Sequence, residues 1–205
     1  MKANSKESVY TVLDSFLSSE EMSVWCTDLW NEYPFLFILT KDRKSKLGDY
    51  RFDRRKKKHT ITLNKTLSPH QFLITYLHEV AHRITQEIHK GRVAPHGKEW
   101  KGIFSSLLLK SVTFDYFPED LVLIIKKHAL NPKASCSADQ ALSLALKEKV
   151  DNNQLLLADI QEGNDFIFRN KIYTKLKKRR TRSLCLDKAS KRQYLISEIA
   201  PISLE

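Results

Sequence analysis

The chain has 205 residues, of which 41% are hydrophobic and 10% aromatic, enough for one well-packed domain with a small appendage and unlike a disordered or fibrous chain. Thirty-five Lys and Arg against 24 Asp and Glu leave a formal charge of +11, a field that favours polyanions such as nucleic acid, unless it only keeps the surface solvated. Three widely spaced cysteines exclude a disulfide framework, the polar start has no signal-peptide core, and the aliphatic runs at 121–125 and 155–158 fall far short of the roughly 20 residues a membrane span needs; the expected location is a reducing cytosol, with nucleoid association in a bacterium.

Helical spacing opens with Val9, Val12, Leu13, Phe16 and Leu17. It restarts where Ser18 and Glu21 are placed as a capping box ahead of Met22, Trp25, Leu29 and Trp30, with Pro34 as the stop. Residues 35–40 are expected to be a buried strand. Residues 50–52 and 59–63 alternate polar with apolar and read as two strands joined by the basic run Arg54, Arg55, Lys56, Lys57 and Lys58. Ser68, Pro69 and Gln71 mark the start of a long helix whose apolar set, Phe72, Leu73, Tyr76, Leu77, Val80, Ala81 and Ile84, anchors it in the core. Helices over 97–110, with Trp100, Ile103 and Phe104 inward, and over 118–129 complete a first module at residues 1–132.

Residues 137–160 read as helix within a connector over 133–162. After Gly163 the pattern changes to short strands at 166–168, 172–176, 182–186 and 194–196, a basic β appendage over 163–205. In it Lys177, Lys178, Arg179, Arg180 and Arg182 interleave with Phe168, Tyr173 and Tyr194. Such strands can hold phosphates while the rings stack on unpaired bases, and equally the rings can be the core of a small sheet whose lysines are solvated.

The chemistry concentrates in His78-Glu79-Val80-Ala81-His82. Residues i and i+4 share a helix face, so His78 and His82 can grip one Zn2+ while Glu79 lies beside it as general base. His96 falls on a turn flanked by Pro95 and Gly97, where the chain can fold back with a third nitrogen; His89, seven residues after His82, is the rival. Three imidazoles would leave one of zinc's four positions open for water, as in catalytic sites. His59, His70 and His128 read as ordinary surface or partly buried histidines.

These residues, with the run 91–101 (Gly-Arg-Val-Ala-Pro-His-Gly-Lys-Glu-Trp-Lys) and the looser Lys46-Leu47-Gly48-Asp49-Tyr50, resemble the SprT-like family of zinc metalloproteases, which includes the Spartan proteases. The resemblance implies an α+β, minimal zincin-like domain with the H-E-x-x-H motif on its central helix, His78, His82 and His96 as zinc ligands, and Glu79 as catalytic base. It also implies endopeptidase action on protein substrates bound or crosslinked to DNA, single-stranded or junction-containing, by a protein expected to be monomeric. Many relatives carry a four-cysteine zinc ribbon; Cys26, Cys136 and Cys185 form no C-x-x-C pair, so no second zinc is expected. The alternative is a nucleic-acid-binding protein that keeps zinc for structure or regulation, with Arg54 to Lys58 and Lys177 to Arg182 as the candidate contacts.

Overall fold

A computed structural model describes residues 2–43, 46–134, 139–146 and 155–204. The chain is α+β and divides into two units, Met1–Leu146 and Lys147–Glu205. In the first, a short strand β1 (Lys2–Ala3) precedes helices α1 (Lys6–Leu17) and α2 (Glu20–Glu32). The expected cap lies one residue off: Ser18 ends α1 in the left-handed region at φ 51, and Ser19 caps α2 by accepting the Met22 N–H at 3.4 Å. With only two residues between the helices, the first serine must close one helix and the second open the next.

Strands β2 (Leu36–Thr40), β3 (Gly48–Asp53) and β4 (Lys58–Asn64) join β1 in one sheet of order β1-β2-β4-β3. β2 runs parallel to β4, and β3 returns antiparallel to it as the outer strand. The basic run forms the β3–β4 turn, where the Asp53 carboxylate accepts the Arg55 and Lys56 N–H groups at 3.0 and 3.1 Å.

Helix α3 (Pro69–His89) begins at Ser68 with Pro69 inside its first turn. The Ser68 hydroxyl makes no cap and donates instead to the Leu146 carbonyl at 3.2 Å, so the expected box with Gln71 does not form. All seven apolar residues named for this helix are buried. Phe72 stacks on Phe16 at 4.3 Å, and the buried Tyr76 hydroxyl donates to the Cys26 carbonyl at 2.9 Å. These contacts fix the roll of α3 and thereby the face that carries His78 and His82.

Helices α4 (Lys98–Ser111), α5 (Glu119–Ala129) and α6 (Gln140–Ala145) complete the unit. His128 is not a surface histidine. It is 2% exposed, and its Nδ1 donates to Asp139 at 2.7 Å, while Asp139 also caps α6 through the Leu142 N–H. Of the helix expected over 137–160, α6 is present; residues 137–138 and 147–154 lie outside the described residues. Leu157–Asp159 is a single 3-10 turn, and Leu156 bridges Pro201, so its leucines serve the second unit's core.

That unit is an antiparallel meander of β5 (Asp165–Phe168), β6 (Lys171–Lys178), β7 (Arg182–Asp187) and β8 (Gln193–Ser197). One face packs Phe166, Tyr173, Cys185 and Ile196 against Leu157, Ile160, Ala200 and Ile202. Tyr173 is 8% exposed and stacked on Phe166, so it is core and offers no platform to a base. Lys175 is buried, its ammonium donating to the Leu157 and Ile160 carbonyls at 2.7 and 2.9 Å and facing Glu198 at 3.5 Å. Lys177, Arg179, Arg180 and Arg182 are exposed at the β6–β7 turn and make no ion pair among the described residues, whereas Lys178 lies 3.6 Å from Glu198. No described helix is long and apolar enough to cross a membrane.

Candidate metal centre

The i,i+4 spacing on α3 turns His78 and His82 toward one cleft, and the loop after α3 brings His96 to them. Lys90 and Gly91 both adopt positive φ, 52 and 75, which reverses the chain at the helix end. His96 itself sits at φ 58, a conformation a non-glycine side chain adopts only where its surroundings hold it. The Gly97 N–H donates to the Ala94 carbonyl at 3.0 Å, closing the turn just before α4.

The result is a convergence of nitrogens. Nε2 of His82 and His96 lie 3.0 Å apart, and Nε2 of His96 and His78 3.3 Å. Zinc–nitrogen bonds of about 2.0–2.1 Å in a tetrahedron place neighbouring nitrogens about 3.3 Å apart, so the donor set fits one such ion. Burial pushes His78 down to about 3, with His82 and His96 adding to it, and pushes His82 down to about 4, again with His96. Burial lowers His96 as well. All three are neutral near pH 7, with lone pairs to give. Among the described residues, this is the one cluster of His, Cys, Asp or Glu able to hold a metal ion.

Glu79 lies beside them, 6% exposed. Burial and then Asp49 push its carboxyl up to about 8, against a hydrogen bond from the Tyr50 backbone and the more distant Arg43 and Lys46. No described Lys or Arg forms an ion pair with it, and burial therefore favours its neutral form.

The structure adds residues that the motif does not contain. Gly48 opens β3 against α3 so tightly that a Cβ there would stand 2.7 Å from Glu79 Oε1 and from Thr75 Cγ2. Arg43 and Asn64 brace this approach: the guanidinium donates to Asn64 Oδ1 and Thr62 Oγ1 at 2.9 Å each, and the Asn64 amide donates to the carbonyls of Arg43 and Lys46. Trp100 of α4 is fully buried with its ring 4.6–5.2 Å from all three imidazoles. The Tyr50 ring lies parallel to His82 at 6.2 Å, and its hydroxyl bonds His59 Nδ1 at 2.8 Å. A glycine at the entrance to a strand was the available signal for Gly48; nothing local marks the others.

Residues 29–114 match the model of the SprT-like family. The match covers less than half of the chain, and over it the chain resembles that family. Protein SprT of Vibrio parahaemolyticus serotype O3:K6 (strain RIMD 2210633) is 49% identical over 51 residues, 23% of this chain and 30% of the relative. The chain thus matches under a third of that relative's length. No solved structure matches. The SprT-like segment contains the three histidines, Glu79, Gly48 and Trp100, and the second unit lies outside it. His89, in the last turn of α3, is not part of the cluster. The basic residues 54–58 and 177–182 lie at two separate turns, of which only Arg54 lines the cleft with the histidines.

Proposed function

We propose that residues 1–132 form a minimal zincin-like domain and that the chain is a zinc-dependent endopeptidase of SprT type acting on proteins bound to DNA. The observation that carries this reading is the meeting of three neutral imidazole nitrogens with a buried carboxyl that no described Lys or Arg pairs, in an open cleft of about 590 Å³. His78, His82 and His96 would hold the zinc, which as a Lewis acid brings the pKa of water from about 15.7 to about 7. Glu79, one residue from a ligand, accepts the proton of the attacking water and passes it to the departing amine. The Tyr50 backbone and the close approach of Gly48 hold the carboxyl in place for both transfers. A purely structural zinc would have no need of a buried base beside an open cleft.

The exposed cations of the two basic turns support a nucleic-acid partner that brings protein substrates to the cleft, with the second unit serving that contact. The test is digestion of casein or histone by the zinc-loaded protein with and without single-stranded DNA and with a chelator. Glu79→Gln should keep zinc and lose about 10²–10⁴-fold in turnover. A mutant keeping more than about a tenth of wild-type activity removes Glu79 as the base. A wild type that binds DNA and zinc but cleaves nothing supports the binding-protein alternative.

A further inference from the structure

The basic turn between β3 and β4 is not one uniform patch. Arg55, Lys56, Lys57 and Lys58 are exposed and outside the cleft, whereas Arg54 lines it together with the three histidines and Glu79. Its Nη2 reaches toward the opposite lip, 3.8 Å from the point where a Cβ on Gly91 would stand. The β3 side and the α3–α4 loop are thus brought together at one end of the cleft by a guanidinium.

Among the described residues that guanidinium forms no ion pair. Among the residues lining the cleft it is the sole Lys or Arg, and the lining carboxylate Asp49 is already taken by Lys46 at 2.7 Å and Arg51 at 3.6 Å. Glu87, the acid near the end of α3, is divided between Arg83 and Lys90. Asp53, beside Arg54 in sequence, spends one carboxylate oxygen on the Arg55 and Lys56 N–H groups. A polypeptide lying in the cleft would remove water from Arg54 without replacing it unless it brought an acceptor of its own. The planar fork of an arginine fits a carboxylate at two points.

We propose that Arg54 forms a carboxylate subsite at the Gly91 end of the cleft, so that the site selects substrates presenting an acidic side chain, or the carboxylate of a chain terminus, there. This rests on the endopeptidase reading only for its effect on cleavage; as a binding preference it stands alone. Because Arg54 is solvent-exposed, screening keeps the discrimination modest, roughly two- to fivefold.

The probes are two degenerate dodecapeptide pools, one containing Glu and Asp, the other Gln and Asn in their place, each made as free acid and as amide. Binding is measured by competition on zinc-loaded full-length Glu79→Gln protein, and cleavage on the wild type with sequencing of the products. The acidic pool should bind and be cut roughly two- to fivefold better, with the acid at one fixed distance from the cut. Arg54→Gln should level the pools and Arg54→Glu should disfavour the acidic one, at unchanged zinc content. Replacing Arg55, Lys56, Lys57 and Lys58 by Gln should weaken peptide binding and its salt dependence in general while the acid-to-amide ratio persists. A preference that follows the free terminus alone assigns the subsite to chain ends. Equal binding of all pools by the parent, or a preference that survives in Arg54→Gln, overturns the proposal. An Arg54-dependent binding preference with no cleavage by the wild type upholds it and counts against the endopeptidase.

Discussion

His96 holds a left-handed backbone at φ 58 in the turn that presents its imidazole, and a β-carbon makes that conformation cost up to about 1–2 kcal/mol. A structural residue in this position would be replaced by glycine at a gain. His96→Gly should therefore leave the metal-free protein at least as stable to urea as wild type, while metal analysis finds well under one equivalent of zinc; a full equivalent would remove His96 from the ligand set. Gly48 shows the converse constraint. Gly48→Ala must push its Cβ away from Glu79 Oε1 and Thr75 Cγ2, both at 2.7 Å, an overpacking worth roughly 1–3 kcal/mol. Because Glu79 has the movable end of the clash, zinc should stay bound while proteolysis falls by tenfold or more, and a variant with wild-type turnover would show that the carboxyl is not positioned through Gly48.

At the scale of elements, α6 hangs on one acid. Burial alone would raise the Asp139 carboxyl, but hydrogen bonds from His128 and the Leu142 N–H outweigh it and hold it below its ordinary value. A carboxyl lowered by folding contributes stability that is complete above its unfolded pKa, about 3.9, and is lost as pH falls through the lower folded value. Asp139→Ala should cost roughly 1–3 kcal/mol at pH 6 by urea unfolding, and the gap from wild type should close as pH falls below the ordinary carboxylate range. A gap that persists in acid would place the loss in packing. What the sequence disclosed follows the same division between local and distant. The α3 motif was legible because the helix alone puts His78 and His82 on one face, and the Pro-His-Gly turn announced His96. The contact of Gly48 and the Tyr50 backbone with Glu79 was not, since it exists only once β3 is laid outside β4. The leucines at 155–157 fit helix and extended chain alike by spacing; their pairing with residues 200–202 decides, as the Leu157 N–H donates to the Ala200 carbonyl and the Ile202 N–H to the Leu155 carbonyl.

At the scale of the molecule, the +11 charge includes two dense runs of exposed cations at turns, 54–58 and 177–182. In the second unit the register sorts the interleaved aromatics and cations: Tyr173 and Phe166 face the core, while Lys177, Arg179, Arg180 and Arg182 stand exposed around the β6–β7 turn. Of the interleaved aromatics, Tyr194 on β8 is 42% exposed, so the cations and one open ring share this unit's surface. Lys178 belongs to a different set, since it lies against Glu198, which is 2% exposed, and its removal would leave a buried carboxylate with less compensation. The informative variant therefore carries Gln at 177, 179, 180 and 182 and keeps Lys178. Each phosphate neutralised on a single strand contributes about 0.7 to the slope of log affinity against log salt, so four lost contacts should flatten that slope by up to about 2.8. Cleavage of a DNA-bound protein should fall with it while cleavage of a free peptide stays close to wild type, because the zinc ligands and Glu79 are unchanged. Should the variant keep the wild-type slope, the phosphate contacts lie elsewhere, and Arg55, Lys56, Lys57 and Lys58 of the β3–β4 turn become the surface to replace next.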